Sequence, residues 1–296
     1  MSRIVVVVKR TAFEAQRNDR RVRALLRRND PTVRRLRGSH EEHEATVAAV
    51  RQAIERLGVE ATFVEGAETW FETKGVSLVV TVGGDGTLLS ASHNVGSTPI
   101  LGVNSAPSYS VGFFCAAKKD DFEGLLRRAL RGRIRSVTLA RMEVRLNRKT
   151  IARRVLNEAL FCHATPAATS RYILELDGHV EEHKSSGFWI GPAAGSTAAQ
   201  HSAGGRILPL TSPCLQLVVR EPYTPGGERL RLTRALVRDG SQLVVWSKMD
   251  DGRIFLDGPH HAFHVRIGDQ ITFRRSPESL TLLGLGPKRR WRGENG

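Results

Sequence analysis

The residues best spaced for chemistry are Gly83-Gly84-Asp85-Gly86-Thr87, which follow the apolar run Leu78–Val82 and lead directly into Leu88-Leu89. Glycines let the backbone turn where other residues cannot and let phosphate oxygens approach its N–H groups. A helix starting at this point would add the partial positive charge of its N-terminus. An aspartate in such a loop repels phosphate unless it has work to do, either taking a proton from a reacting hydroxyl or holding Mg²⁺. No Gly-Lys-Ser/Thr follows, so this is not the common nucleotide loop of that type. On these residues alone the segment reads as a phosphate-binding turn with an acid aimed at a hydroxyl, in competition with a plain Asp-Gly turn.

The elements that must hold this loop are legible on either side of it. Up to about residue 135, strand-like and helix-like segments alternate, as in a parallel sheet covered by helices. Strands are expected at Ile4–Val8, Val59–Val64, Leu78–Val82 and Pro99–Asn104. Ser39 and Glu42 form a capping-box pattern ahead of Val47, Val50, Ile54 and Leu57, so a packing helix is expected to begin there and to end at Gly58. Residues 9–38 are densely basic, with a turn at Asn29-Asp30-Pro31; a helix pair, a flap, a partner-binding insert and a plain solvated surface all fit.

From about Arg133 the texture becomes β-type, with runs at 136–146, 150–161, 171–176, 214–219, 229–237, 242–248, 253–256 and 263–273. Asp177-Gly178, Asp239-Gly240, Asp251-Gly252 and Asp257-Gly258 punctuate them as turns. One helix-like break falls near 195–205. The expected fold is α/β plus β: a Rossmann-like α/β domain over 1–135, onto which 277–296 packs back, and a β-rich, sandwich-like domain over 136–276. Pro287–Gly296 reads as a mobile basic tail.

Four motifs in order resemble one family. Gly83–Thr87 is shared by NAD kinases and by diacylglycerol and sphingosine kinases. Pro99-Ile100-Leu101-Gly102-Val103-Asn104 resembles the strand and Gly-Val-Asn turn of NAD kinases, Leu156-Asn157-Glu158 their Asn-Glu pair, and Gly195-Ser196-Thr197-Ala198 with Ser202-Ala203-Gly204-Gly205 their second glycine-rich loop. The resemblance implies an ATP-dependent kinase that phosphorylates the adenosine-ribose 2′-hydroxyl of NAD, giving NADP, with Asp85 as general base. It implies Gly83, Gly84, Gly86, Thr87, Asn104, Asn157, Glu158, Ser186, Gly195, Ser196, Thr197 and Ser202 as nucleotide- and phosphate-binding residues. Asn104 either touches nucleotide or holds its loop; Phe113 either stacks on adenine or sits in the core. Mg²⁺ or another divalent cation is expected with ATP, bound through the nucleotide and through Asp85, and the family implies a homodimer or homotetramer.

The sequence also departs from the common bacterial pattern. Ser185-Ser186-Gly187 stands where an Asp-Gly is usual, and Ala199 where the second loop carries tyrosine. Lys184-Ser185-Ser186-Gly187, Lys9-Arg10-Thr11-Ala12-Phe13-Glu14 and Gly102–Pro107 resemble instead the divergent branch typified by the mitochondrial NAD kinase of animals. No Arg/Ser-rich presequence precedes the first strand.

Composition narrows the alternatives. No apolar run approaches the roughly 20 residues of a membrane helix, so no membrane is expected. Cys115, Cys162 and Cys214 are too few and too scattered for a disulfide framework or zinc site, which suggests a reducing compartment, the cytoplasm. The net charge of +15 attracts anions. The aromatic residues do not interleave with the arginines as nucleic-acid platforms would, so ATP and NAD are the expected polyanions. The competing readings are a lipid kinase of the diacylglycerol or sphingosine type and a non-catalytic nucleotide- or nucleic-acid-binding protein on the same scaffold.

Overall fold

The computed structural model describes residues 3–227 and 229–287, and the chain divides into two compact units, Met1–Val137 with Leu280–Gly286, and a second that covers Thr138–Ser279. The expected tail therefore lies almost wholly outside the described residues.

The first unit is built on β1 (Arg3–Val8), β2 (Glu60–Glu65), β3 (Leu78–Gly83), β4 (Ile100–Asn104), β5 (Ser136–Leu139) and β18 (Leu280–Leu283). Their order is β2-β1-β3-β4-β18-β5, and each pair from β2 to β18 is parallel. All residues of β3 and β4 are buried, as expected of parallel strands covered on both faces. The chain leaves β1 toward one side of the sheet and β3 toward the other, so the order reverses between them. The crevice at the carboxyl ends of such a pair is where open α/β sheets bind ligands. Gly83 ends β3 at that point, and Lys9, just beyond β1, donates its N–H to Val82 at 2.9 Å.

Helices α1 (Ala12–Gln16), α2 (Arg20–Arg27) and α3 (Pro31–Arg56) follow β1; α4 (Asp85–Ser92) follows β3; α5 (Phe122–Leu130) precedes β5. The basic segment is thus helical. The packing helix does not begin at Ser39: α3 starts eight residues earlier, because Asp30 caps it through the Thr32 N–H (2.9 Å) and Pro31 takes the first helical position, where its missing N–H is not needed. Ser39 lies inside the helix and its hydroxyl donates to the Leu36 carbonyl at 3.2 Å. Val50, Ala53 and Ile54 bury the expected face against β1, β3 and β4, and Gly58 at φ +63° ends the helix.

The second unit is a β-sandwich. One sheet runs β10 (His179–Ser185), β9 (Ser170–Leu176), β14 (Gln242–Ser247), β17 (Gln270–Arg275), β6 (Met142–Leu146), β7 (Lys149–Val155). The other runs β13 (Arg234–Val237), β12 (Leu215–Val219), β11 (Phe188–Pro192), β8 (Ala159–His163), β15 (Gly252–Leu256), β16 (His261–Val265). Phe161, Tyr172, Phe188 and Phe273 form the aromatic centre of one shared core, with ring centroids 5.2–6.0 Å apart. Three expected runs are each two strands. Residues 136–146 break at Ala140-Arg141, 150–161 at 156–158, and 263–273 at 266–269, because at each break the chain passes from one sheet to another. Alternation of apolar residues persists through such a crossing and does not mark it. The run at 229–237 shortens to β13. The helix-like break is a 3-10 turn over Ala193–Thr197 followed by the short α6 (Ala199–Ser202).

Candidate active site

In the first unit the glycine loop is a strand-to-helix turn in which Gly84 is the N-cap and Asp85 the first helical residue. A side chain at Gly83 would place its Cβ 2.1 Å from the Thr87 hydroxyl, so Gly83 is fixed by close approach; at Gly86 nothing lies within 4 Å. Thr87 is buried against the turn, whereas Gly86 faces open space. The Asp85 carboxylate accepts the N–H of Phe113 at 2.8 Å on Oδ2 and of Phe114 at 2.7 Å on Oδ1. Two backbone donors thus fix its orientation. A carboxylate has about four lone-pair sites, which leaves capacity for another hydrogen bond.

Asn104 is buried, and its Nδ2 donates to the Ser110 carbonyl at 2.9 Å while Ser105 N–H donates to the Gly83 carbonyl at 2.8 Å. Of its two readings, the side chain satisfies that of a loop holder. Phe113 is buried edge-on to Phe114, ring centroids 5.0 Å apart, and so occupies the core. The loop from Ser105 is also tied to α3: His43 Nδ1 lies 2.8 Å from the Ser105 hydroxyl, and Thr46 donates to the Ser105 carbonyl at 2.9 Å. Burial, above all, lowers the pKa of His43. Nearer the start of the chain, Thr11 and Glu14 close a capping box on α1, and the Thr11 hydroxyl meets His40 Nδ1 at 3.0 Å, which ties α1 to α3.

In the second unit Asn157 and Glu158 form the turn that enters β8. Asn157 Oδ1 and Glu158 Oε2 are buried without a hydrogen-bond partner. Burial first, and the charge of Asp257 second, push the Glu158 carboxyl up to about 7. The second glycine-rich segment closes over the same turn: a Cβ on Gly195 would sit 1.8 Å from the Asn157 carbonyl oxygen, and one on Gly191 2.1 Å from it. Gly195 is therefore required by backbone packing. Ser196 is fully buried, its hydroxyl donating to Ala193 O at 2.7 Å and accepting from Leu208 N–H at 3.0 Å, so it shapes the loop. Thr197 is half-buried and Ser202 exposed.

Asn157, Glu158, Gly195, Ser196 and Thr197 are thus gathered at one end of β11. Ser186 is at the other end of the same strand, its N–H bound to the Arg220 carbonyl at 3.1 Å. Three residues not singled out from the sequence build the turn. Asp257, read only as part of an Asp-Gly turn, accepts the N–H groups of Leu156, Asn157 and Glu158. Gln200, buried, donates to the Asn157 carbonyl at 3.2 Å and accepts from buried Gln216 at 3.2 Å. The Asp257 signal lay in its position after a strand, but its partners are a hundred residues away.

Among the described residues no helix is long and apolar enough to cross a membrane, and no group of three or more His, Cys, Asp or Glu side chains could hold a metal ion.

A phosphate-type loop at the switch point of a parallel sheet, joined in sequence to a β-sandwich, places the molecule among the two-unit nucleotide-kinase folds. Residues 4–134 match the model of the ATP-NAD kinase N-terminal domain. A probable NADH kinase of Oryza sativa subsp. japonica is 34% identical over 264 residues, covering 81% of each chain, and the NADH kinase of Arabidopsis thaliana is 34% identical over 283 residues, covering 88% of this chain and 89% of its own. An NAD kinase of Rhodopirellula baltica is 30% identical over 219 residues, 72% of this chain and 68% of its own. Among solved structures, the Archaeoglobus fulgidus NAD kinase in complex with ATP superposes with a TM-score of 0.69 at 20% identity, covering 98% of this chain and 96% of its own. The chain belongs to the NAD kinase family.

Proposed function

We propose that the protein transfers the γ-phosphoryl group of ATP to the adenosine-ribose 2′-hydroxyl of a nicotinamide dinucleotide, producing NADP or its reduced form. The observation that carries this reading is the buried, unpartnered pair Asn157 Oδ1 and Glu158 Oε2. Polar atoms left unsatisfied in a folded interior are costly, and a ligand with hydroxyl and amino donors would satisfy both.

In this mechanism the 2′-oxygen attacks the γ-phosphorus as its proton passes to the Asp85 carboxylate, and the bond to ADP breaks. Phe113 and Phe114 hold that carboxylate in place through their N–H groups. The open approach at Gly86 and the N-terminus of α4 receive phosphate charge. Asp85 is the only carboxylate in the Gly83–Thr87 loop; it would be the protein's contact to a divalent cation bound mainly by the triphosphate, and such a cation would supply neutralisation of phosphate charge. Asn157 and Glu158 bind the acceptor, and Thr197 and Ser202 line its site. We assign the ATP-phosphate role to the first unit and the dinucleotide role to the second. Ser186 and Gly195 stand at opposite ends of β11, which supports a homodimer or homotetramer in which a second copy supplies Ser186. The three free cysteines are consistent with the cytoplasm.

A second reading, with the reduced dinucleotide as preferred acceptor, is favoured by the two plant relatives, both called NADH kinases. The test is product formation from ATP and Mg²⁺ with NAD, NADH or diacylglycerol as acceptor. NADP or NADPH from the first two, and no phosphorylated lipid, is expected. Phosphorylated lipid alone, or no product with any acceptor, would overturn the proposal.

A further inference from the structure

We infer that Asp257 is the positioning residue of the acceptor site: from the end of β15 its carboxylate gathers three successive N–H groups and so fixes the Asn157–Glu158 turn. The inference rests on the dinucleotide reading of that turn. Oδ2 accepts from Leu156 N–H at 2.8 Å, and Oδ1 accepts from Asn157 N–H at 2.7 Å and Glu158 N–H at 3.1 Å. Asp257 returns its own N–H to the Glu158 carbonyl at 2.9 Å. Successive N–H groups converging on one point form an anion-binding concavity; here the anion is built in.

Several features show that this arrangement is held rather than incidental. Asp257 sits at φ +50°, in the left-handed region that non-glycine residues seldom occupy. Leu156 is fully buried, so its N–H has no access to water and would be left unpaired without the carboxylate. Arg141, also fully buried, acts on Asp257 as a counter-charge, with Arg154 and Glu278 beyond it. The Arg141 guanidinium is itself placed by the carbonyls of Glu278 (3.1 Å) and Ser279 (2.8 Å). Burial lowers its pKa to about 10, which leaves it protonated at neutral pH. On the opposite side Gln200 holds the Asn157 carbonyl. The backbone of the turn is thus set from both sides, while the side-chain atoms Asn157 Oδ1 and Glu158 Oε2 stay available for a ligand.

An aspartate here does more than an asparagine could. An amide offers one acceptor oxygen where the carboxylate offers two, and it lacks the charge that, after burial, raises the Glu158 pKa. The two effects give separate readouts in the full-length enzyme. In Asp257→Asn the KM for NAD is expected to rise about tenfold, the equivalent of one charge-assisted hydrogen bond, while the KM for ATP changes less than about twofold. Wild-type KM for NAD should show an inflection near pH 7, the value to which Glu158 is pushed. Glu158→Gln should abolish that inflection, and Asp257→Asn should move it to lower pH, since removing a neighbouring negative charge favours the ionised form. Asp257→Glu keeps the charge but displaces it by a methylene; it should raise the KM for NAD without lowering the inflection, and it carries the test if the Asn variant does not fold. Equal changes in both KM values, or an inflection unmoved in Asp257→Asn, would overturn the inference. If wild type makes no product, the reaction assigned above fails on its own. The Asp257 role is then read from the Kd for NAD, which the Asn and Glu variants must weaken.

Discussion

Asp85 and Glu158 are both carboxylates, and their surroundings prepare them for different work. On the glycine loop Asp85 accepts the backbone N–H groups of Phe113 and Phe114, which fix the direction of its carboxyl. Glu158 is buried beside another carboxylate and titrates near neutrality. That has a consequence for stability that needs no substrate. Below the ordinary value of 4.5 the folded and unfolded chains both carry the Glu158 proton, so the group does not penalise folding. As pH rises toward about 7 the unfolded chain releases the proton and the folded chain retains it, so stability falls through that window. The loss is on the order of 3 kcal/mol from this group. Glu158→Gln should abolish that part of the pH dependence, as urea midpoints measured across the window would show. Parallel wild-type and variant curves would contradict the environment described for Glu158.

At the scale of elements, glycines that look alike in sequence do different things, even within one loop. Gly83 and Gly195 are fixed by close approach, whereas Gly86 borders open space. Gly195→Ala should therefore destabilise the protein by about 1–3 kcal/mol, the usual cost of overpacking, because its Cβ would meet the Asn157 carbonyl. Gly86→Ala should leave the Tm unchanged and raise the KM for ATP, since the added methyl would occupy the approach assigned to phosphate. Thermal melts and ATP titrations check both, and a destabilised Gly86→Ala would show that this glycine too is structural. These elements were legible where one local signal decided them, as in β1, β3 and β4, whose apolar runs can only be buried strands. For the start of α3 two signals compete, and Asp30-Pro31 at a helix entrance outweighs a capping-box pattern that falls inside the helix. The sheet changes at Ala140-Arg141 and at 156–158 left no local mark. Asp257 was invisible as a site residue because its role depends on β15 lying beside β8, a pairing between segments a hundred residues apart.

For the whole molecule, the charge of +15 and the strand order have separate consequences. A basic surface raises the local concentration of polyanionic substrates and loses that advantage as salt screens it. The KM for ATP should accordingly rise several-fold between low and high ionic strength at constant kcat. In the homo-oligomer proposed above, Ser186, separated from the Asn157 turn by β11, about 17 Å of extended chain, would serve the site of a second copy. Light scattering should then give a mass that is a multiple of 32.7 kDa, and a monomer active at all concentrations would contradict it. The central claim is that Asp85 takes the proton from the dinucleotide hydroxyl as phosphate is transferred. The most direct measurement is kcat for NADP formation by wild type and by Asp85→Asn, with the Kd for ATP and NAD measured on both. A fall of about 10²–10⁴ in kcat with both dissociation constants little changed is predicted for loss of a general base; an Asn variant as fast as wild type would contradict the account.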